Sequence, residues 1–221
     1  MVTLYLDLDG TLIDGRRRHY QAYAESVSGL GGAPLAPTTY WARRRRGTSS
    51  LALLGHFEDT YRQRFQVEWL ARIESPVYLR LDTLIPGTRR ALTALATQHD
   101  LSLVTLRRDR SSLLEQLSSL GLIDFFSAVH SRGNSLRGRS KASLIRLATP
   151  EVDGRSIVVG DSEEDVHAAR EIGLACVCVV SGVRNRSYLE KLRPDWIIDS
   201  IAQLPPITSS PAIHERARTT G

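Results

Sequence analysis

From about residue 81 onward the chain alternates short apolar runs with helix-period segments, and this rhythm limits the fold more than any other feature. Leu101-Ser102-Leu103-Val104-Thr105-Leu106, Ser156-Ile157-Val158-Val159-Gly160, residues 175–180 and Trp196-Ile197-Ile198 read as strands, with residues 126–130 a shorter one. Between them, Pro86-Gly87 opens a helix in which Ala91, Leu92, Leu95 and Ala96 keep helical spacing. Residues 110–120, closed by Gly121, 141–148, and 163–172, closed by Gly173, read as further helices. Such alternation implies a parallel sheet with right-handed crossovers, an α/β architecture of the Rossmann-like kind.

An earlier strand belongs to the same sheet. Val2-Thr3-Leu4-Tyr5-Leu6-Asp7-Leu8-Asp9-Gly10-Thr11 is a β-prone apolar run that ends in two aspartates, a glycine and a threonine. Side chains alternate along a strand, so Asp7 and Asp9 leave it side by side. They do so at the carboxyl end, where open α/β sheets bind ligands. Two close carboxylates repel unless a cation or a shared proton intervenes. The same residues also suit a plain strand-to-turn exit. A calcium loop does not fit, because its fifth and twelfth positions would hold Thr11 and Arg18.

Residues 15 to about 80 have a different character, with many arginines, no convincing strand and helical patterns at residues 19–25 and along the long run 51–73. Gly31-Gly32-Ala33-Pro34 and Pro37 separate the first helix from the rest of this segment. The expected organisation is therefore a core of residues 1–14 and 81–205, a helical cap of residues 15–80, and a polar, disordered tail at 206–221. A chain of 221 residues, 42% apolar, has room for one α/β domain and a modest insertion. No stretch reaches the length of a membrane span, and Asp7 and Asp9 interrupt the first apolar run, which argues against a secretory signal. Cys176 and Cys178 share one strand face, where a bridge would be strained, and read as buried thiols of a cytoplasmic protein.

Three more sites fall at strand ends. Thr105 closes the strand 101–106, where its hydroxyl can bond a phosphoryl oxygen or serve as an ordinary β-branched residue or helix cap. Lys141 begins a helix after Gly138-Arg139-Ser140, a position where its charge opposes the helix dipole. It stands out because, of 29 basic residues, only Lys141 and Lys191 are lysines. Gly160-Asp161-Ser162-Glu163-Glu164-Asp165 follows the strand 156–160; Asp161 and Asp165 can face a metal together, or Asp161 can cap the helix.

The order Asp-x-Asp-Gly-Thr, then Thr, then an isolated Lys, then Gly-Asp-x-x-x-Asp resembles the haloacid dehalogenase-like hydrolases over roughly residues 1–204. The helical insert directly after the first motif resembles the cap of the subclass that includes phosphoglycolate phosphatase and β-phosphoglucomutase. The resemblance implies a Mg2+-dependent phosphatase. Asp7 would be the nucleophile and Asp9 the acid and base. Gly10, Thr11, Thr105, Leu106 and Lys141 would hold the phosphoryl group. Mg2+ would be bound by Asp7, the Asp9 main chain, Asp161 and Asp165, the last acting through the metal shell or through Lys141. Asp9 favours phosphoryl transfer over dehalogenation, since the dehalogenases lack this second aspartate. A phosphomutase shares all these motifs, and an inactive binding protein is the rival from another class.

Tyr40-Trp41-Ala42-Arg43-Arg44-Arg45-Arg46-Gly47 occupies the place of the cap's substrate-specificity loop, which makes Arg43, Arg46 and Gly47 candidates for reading the substrate. The clusters Arg16–Arg18 and Arg43–Arg46 suit a solvated basic face or an anionic small molecule, with phosphoglycolate or a nucleotide as examples. Nucleic acid ranks last, because aromatics beyond Trp41 and any binding motif are missing. Arg107 has the choice of site or surface. The six histidines show no paired metal-ligand spacing, and none is assigned a role. The expected partner is a small phosphorylated metabolite; oligomeric state is not legible.

Overall fold

The computed structural model describes residues 2–133, 140–149 and 152–208. Its strands are β1 (Thr3–Leu6), β2 (Ile13–Asp14), β3 (Thr83–Leu84), β4 (Asp100–Thr105), β5 (Ala128–Ser131), β6 (Ile157–Gly160), β7 (Ala175–Val179) and β8 (Trp196–Ile198). The helices are α1 (Arg16–Gly29), α2 (Pro37–Arg45), α3 (Asp59–Ile73), α4 (Pro76–Leu79), α5 (Thr88–Ala96), α6 (Arg110–Ser119), α7 (Lys141–Ala148), α8 (Glu163–Ile172), α9 (Arg186–Leu192) and α10 (Leu204–Thr208).

Six strands form one parallel sheet in the order β5-β4-β1-β6-β7-β8. Its central strand, β1, sets Leu4 opposite Leu101 and Ile157, and Leu6 opposite Leu103 and Val159. Strands covered on both sides need apolar residues on both faces, and the alternation supplies them. Leu4, Leu6, Leu103 and Val159 pack with Leu92 and Leu95 of α5 and with Leu113 and Leu117 of α6. On the other face, Tyr5, Val158 and Cys176 meet Ile145 of α7, Val166 of α8 and Leu189 of α9. Each leucine fully buried here contributes about 1.5–3 kcal/mol. The two cysteines lie on this second face as free buried thiols, with sulfurs 4.0 Å apart.

Helices α1 to α4 are inserted between the two strands of a small antiparallel ladder, β2 with β3, in which Ile13 pairs with Leu84. They have an apolar centre of their own, made by Tyr23, Val27, Tyr40, Leu53, Leu54 and Phe65. Three expectations change here. The run 51–73 is not continuous: a short 3-10 turn at Ala52–Leu54 stops at Gly55, and α3 starts only at Asp59. The expected loop around Tyr40–Gly47 is mostly the helix α2, started by Pro37 at its first turn. Residues 206–208 are helical, because Leu204 and Thr208 bury themselves against the core; the rest of the expected tail, 209–221, lies outside the described residues. No helix among the described residues is long and apolar enough to cross a membrane.

Candidate active site

The carboxyl ends of β1, β4 and β6 meet below the helical insertion around a cavity of ≈ 320 Å3. Asp7 extends β1 by one bond, its N–H donating to Val159 O at 2.9 Å. The chain then turns back at once: Leu12 N donates to Leu8 O at 2.9 Å and Gly10 N to Ile13 O at 2.8 Å. Gly10 holds φ +86, and a Cβ there would come within 2.4 Å of Asp161 Oδ2. Glycine is therefore required twice at this position, for its backbone and for the carboxylate it admits.

Lys141 Nζ reaches Asp7 Oδ1 at 2.5 Å and Asp165 Oδ1 at 2.6 Å. The lysine is placed by α7, whose N-cap Ser140 accepts from Ser143 N at 3.1 Å; Gly138 and Arg139 of the turn ahead of it lie outside the described residues. Asp165 is at the third position of α8 and reaches back to Ser162, with Oδ2 accepting Ser162 N at 3.1 Å and Ser162 Oγ at 2.8 Å. Ser162, not Asp161, is thus the N-cap. Gly160 leaves the room, since a Cβ there would sit 1.9 Å from Asp165 Cγ. The same Oδ2 also accepts Asp161 N at 3.2 Å, so Asp165 is a fully engaged anchor for the lysine.

Asp7, Asp161 and Asp165 are all buried, and each can offer an oxygen within 4.8 Å of the others. Burial pushes the Asp7 carboxyl up to about 7, with Asp165 and Asp9 adding to the rise and Lys141 opposing it. Burial likewise raises Asp161 well above the usual carboxylate range, helped by Asp7 and Asp165. Burial would lower Lys141, but Asp165 and Asp7 outweigh it and keep the ammonium charged. Asp161 has no ion-pair partner among the described residues; Val183 N donates to its Oδ2. When ionised, three carboxylates around one lysine carry an excess of negative charge, which is why two of them hold on to protons. The glycine cradle formed by Gly10 and Gly182 holds Asp161 at its edge. Oxygen donors with excess negative charge fit a hard divalent cation.

Asp9 points to different partners. Arg107 grips it with Nε to Oδ2 at 2.6 Å and Nη2 to Oδ1 at 2.8 Å, and Arg18 of α1 also donates to Oδ1. Burial would raise the Asp9 carboxyl, yet Arg107 and Arg18 overcome it and hold it far below the usual range. Both arginines share a second, fully buried carboxylate, Asp82, which accepts Arg18 Nε at 2.9 Å and Arg107 Nη2 at 3.5 Å. Gln116 Nε2 closes this array at 2.9 Å.

The other sequence-derived candidates divide. Gly10, Thr105, Leu106 and Lys141 line the cavity. Thr11 is buried behind Asp7, with its hydroxyl 3.4 Å from Asp7 Oδ2. Arg43 and Arg46 are exposed and off the cavity wall, while Gly47 packs against the Tyr188 ring. Arg44 lines the cavity instead, one helical turn from Trp41, together with Trp69 and His19. Arg18 was hidden inside a run of three arginines; its signal was the four-residue spacing to Ala22 and Ser26, with which it shares the buried face of α1. Asp82 and Trp69 had no comparable signal.

The pattern of the haloacid dehalogenase-like hydrolases matches residues 1–173. The chain belongs to this family. A haloacid dehalogenase-like hydrolase from Streptococcus pneumoniae superimposes with a TM-score of 0.79 at 20% identity, covering 94% of this chain and 98% of the other. A phosphoglycolate phosphatase of Agrobacterium fabrum is 28% identical over 97% of this chain and 93% of its own length. A Chromobacterium violaceum protein of that name is 30% identical over 90% and 92%. This haloacid dehalogenase-like hydrolase is an enzyme of the phosphatase kind. Its helical insertion is docked onto the core: Arg45 donates to Gly182 O at 2.7 Å and Val180 O at 3.0 Å, and Arg184 donates to Arg44 O at 2.7 Å.

Proposed function

We propose that the protein hydrolyses a small phosphomonoester through an aspartyl-phosphate intermediate, with Mg2+ as its cofactor. The observation that supports this reading best is Asp7, which stands at a strand end in a cavity, held by Lys141 and facing Asp161. Asp7, the Asp9 main chain and Asp161 would hold the ion, which supplies charge neutralisation that lets an anionic nucleophile meet an anionic phosphate. Asp165 serves through Lys141.

An Asp7 oxygen forms the bond to phosphorus as the bond from phosphorus to the ester oxygen breaks, and that oxygen leaves with the proton that Asp9 gives up. Thr105, Lys141 and main-chain N–H groups receive the equatorial oxygens. In the second half-reaction water attacks phosphorus, its proton passes to Asp9, and the Asp7 carboxylate is restored. Asp9 between two guanidinium groups is set up as that base. For its acid role it must part from at least one arginine. Arg18 belongs to α1, the first helix of what we read as the cap, residues 15–80, so movement of the cap against the core would supply that separation. An anionic alcohol such as the glycolate of the relatives' named substrate would find Arg44 within the cavity.

Phosphate release from a panel of esters tests the reading, with Mg2+ or a chelator and with Asp7→Asn beside the natural protein. Release that requires both the ion and Asp7 supports it. Release that survives Asp7→Asn would overturn it.

A further inference from the structure

Part of the cavity wall is aromatic. His19 of α1, Trp41 of α2 and Trp69 of α3 come from three separate helices to line it. The His19 ring lies 6.4 Å from each indole, edge-on to Trp41 and tilted against Trp69, so the three make one continuous surface. Ile73 extends it.

That wall also carries three buried nitrogens without a hydrogen-bond partner: Trp69 Nε1, Arg44 Nε and His19 Nδ1. Unpaired polar atoms are uncommon in folded interiors and require an explanation where they gather. An indole nitrogen and a guanidinium Nε can only donate. Burial, together with Arg18, keeps His19 well below its usual range and hence neutral, so its Nδ1 can donate or accept. The wall therefore asks for a flat apolar body that brings hydrogen-bond acceptors on its rim. A two-carbon carboxylate could reach Arg44 but would leave the rings of Trp41 and Trp69 without an apolar partner in the cavity.

We infer that the preferred substrate is a phosphomonoester whose alcohol carries a flat aromatic or heteroaromatic ring, with an acceptor oxygen or nitrogen on the side away from the phosphoryl group. This rests on the phosphatase reading above and specifies the substrate class for the same site. The volume agrees. At ≈ 320 Å3 the cavity lies at the lower end of the roughly 300–1,000 Å3 typical of ligand pockets. With a phosphoryl group and an ion in place, the remainder suits one ring better than a nucleoside. Ring-on-ring contact and a newly paired buried donor would each favour such a ligand.

Calorimetric titration of the full-length Asp7→Asn protein with Mg2+ separates binding from turnover. The ligands are 4-carboxyphenyl phosphate, pyridoxal 5′-phosphate, adenosine 5′-monophosphate and phosphoglycolate. At least one single-ring ligand should bind roughly tenfold or more tightly than phosphoglycolate. In Asp7→Asn/Trp69→Phe, which keeps a ring and removes the N–H, that advantage should shrink several-fold, the single-ring ligands losing more affinity than phosphoglycolate. Equal or tighter binding of phosphoglycolate, or tightest binding of the nucleotide, would overturn the proposal. If single-ring ligands bind as expected and the natural protein releases no phosphate from any of them, the phosphatase reading fails and the inference about the ligand stands.

Discussion

Arg107 holds both oxygens of Asp9, at 2.6 and 2.8 Å, and thereby keeps the carboxyl we assign to proton transfer ionised. Removing this grip should show in the pH profile. In Arg107→Met, the opposition to burial weakens and the pKa of Asp9 rises. The acidic limb of kcat, under conditions where the second half-reaction limits, the step in which Asp9 acts as base, should therefore move to higher pH. Arg18→Met should move it the same way. An acidic limb that stays in place in both variants would mean that the arginines do not set the ionisation of Asp9.

Arg18→Met should also destabilise the fold. Asp82 and the Arg18 side chain are fully buried, and loss of Arg18 leaves the Asp82 charge with only the longer 3.5 Å contact to Arg107 as an ion pair. Breaking such a pair costs about 3–5 kcal/mol, a loss that denaturant titration would measure. Asp82→Asn in the same background should recover part of the loss, since it removes the stranded charge.

Metal and pH act together on Asp7. Its carboxyl is raised by burial from 3.8 to about 7. The stabilisation that goes with the protonated form is complete below the unfolded value and is lost as pH rises through about 7. The metal-free protein should therefore melt at a lower temperature at about pH 8 than at about pH 6. Added Mg2+ should raise the midpoint more at the higher pH, because the ion competes with protons for the carboxylates. A Mg2+ shift equal at both pH values would contradict this.

Lys141 has a role that arginine cannot fill. It presents a compact ammonium to two buried carboxylates, whereas a planar guanidinium cannot reach both in the same space. Lys141→Arg and Lys141→Met should each lower kcat by about 100-fold or more, as expected when a fixed charge facing the transferring group is lost. Steady-state kinetics on the best ester would decide it.

Much of this was legible in the residues themselves. Helix α8 runs over Glu163–Ile172 as its periodicity indicates, because a buried strand and Gly173 bound it. The strands matched to within about two residues for a similar reason: runs such as Ile157–Gly160 must be apolar on both faces. The site residues at strand ends were legible because strand geometry alone fixes where Asp7 and Asp161 emerge. Arg18 was not singled out although its spacing to Ala22 and Ser26 marks the buried face of α1, and Arg44 was not because in the arginine run of α2 only the three-dimensional face shows which one turns inward. Asp82, at the return from the insertion, had no local pattern to mark it; its partners lie 64 and 25 residues away.

The N-cap of α6 offers an independent check on the helix near the site. Asp109 accepts Ser111 N at 3.0 Å and Ser112 N at 3.1 Å, and the serine hydroxyls and these N–H groups hold its carboxyl down to about 2. A depressed carboxyl stabilises the fold above its unfolded value, and that contribution is lost as pH falls through about 2. Asp109→Ala should cost about 1 kcal/mol at neutral pH, and the gap to the natural protein should narrow in strong acid. Thermal melts of the two proteins across the acid range would show it.

Everything proposed for the reaction turns on phosphate passing through Asp7. Rapid acid quench of the enzyme with a 32P-labelled ester and Mg2+ reads that step itself. A transient label that hydroxylamine removes should appear on the peptide containing Asp7 and be missing in Asp7→Asn. Turnover without such a label, or a label on another residue, would contradict the aspartyl-phosphate route.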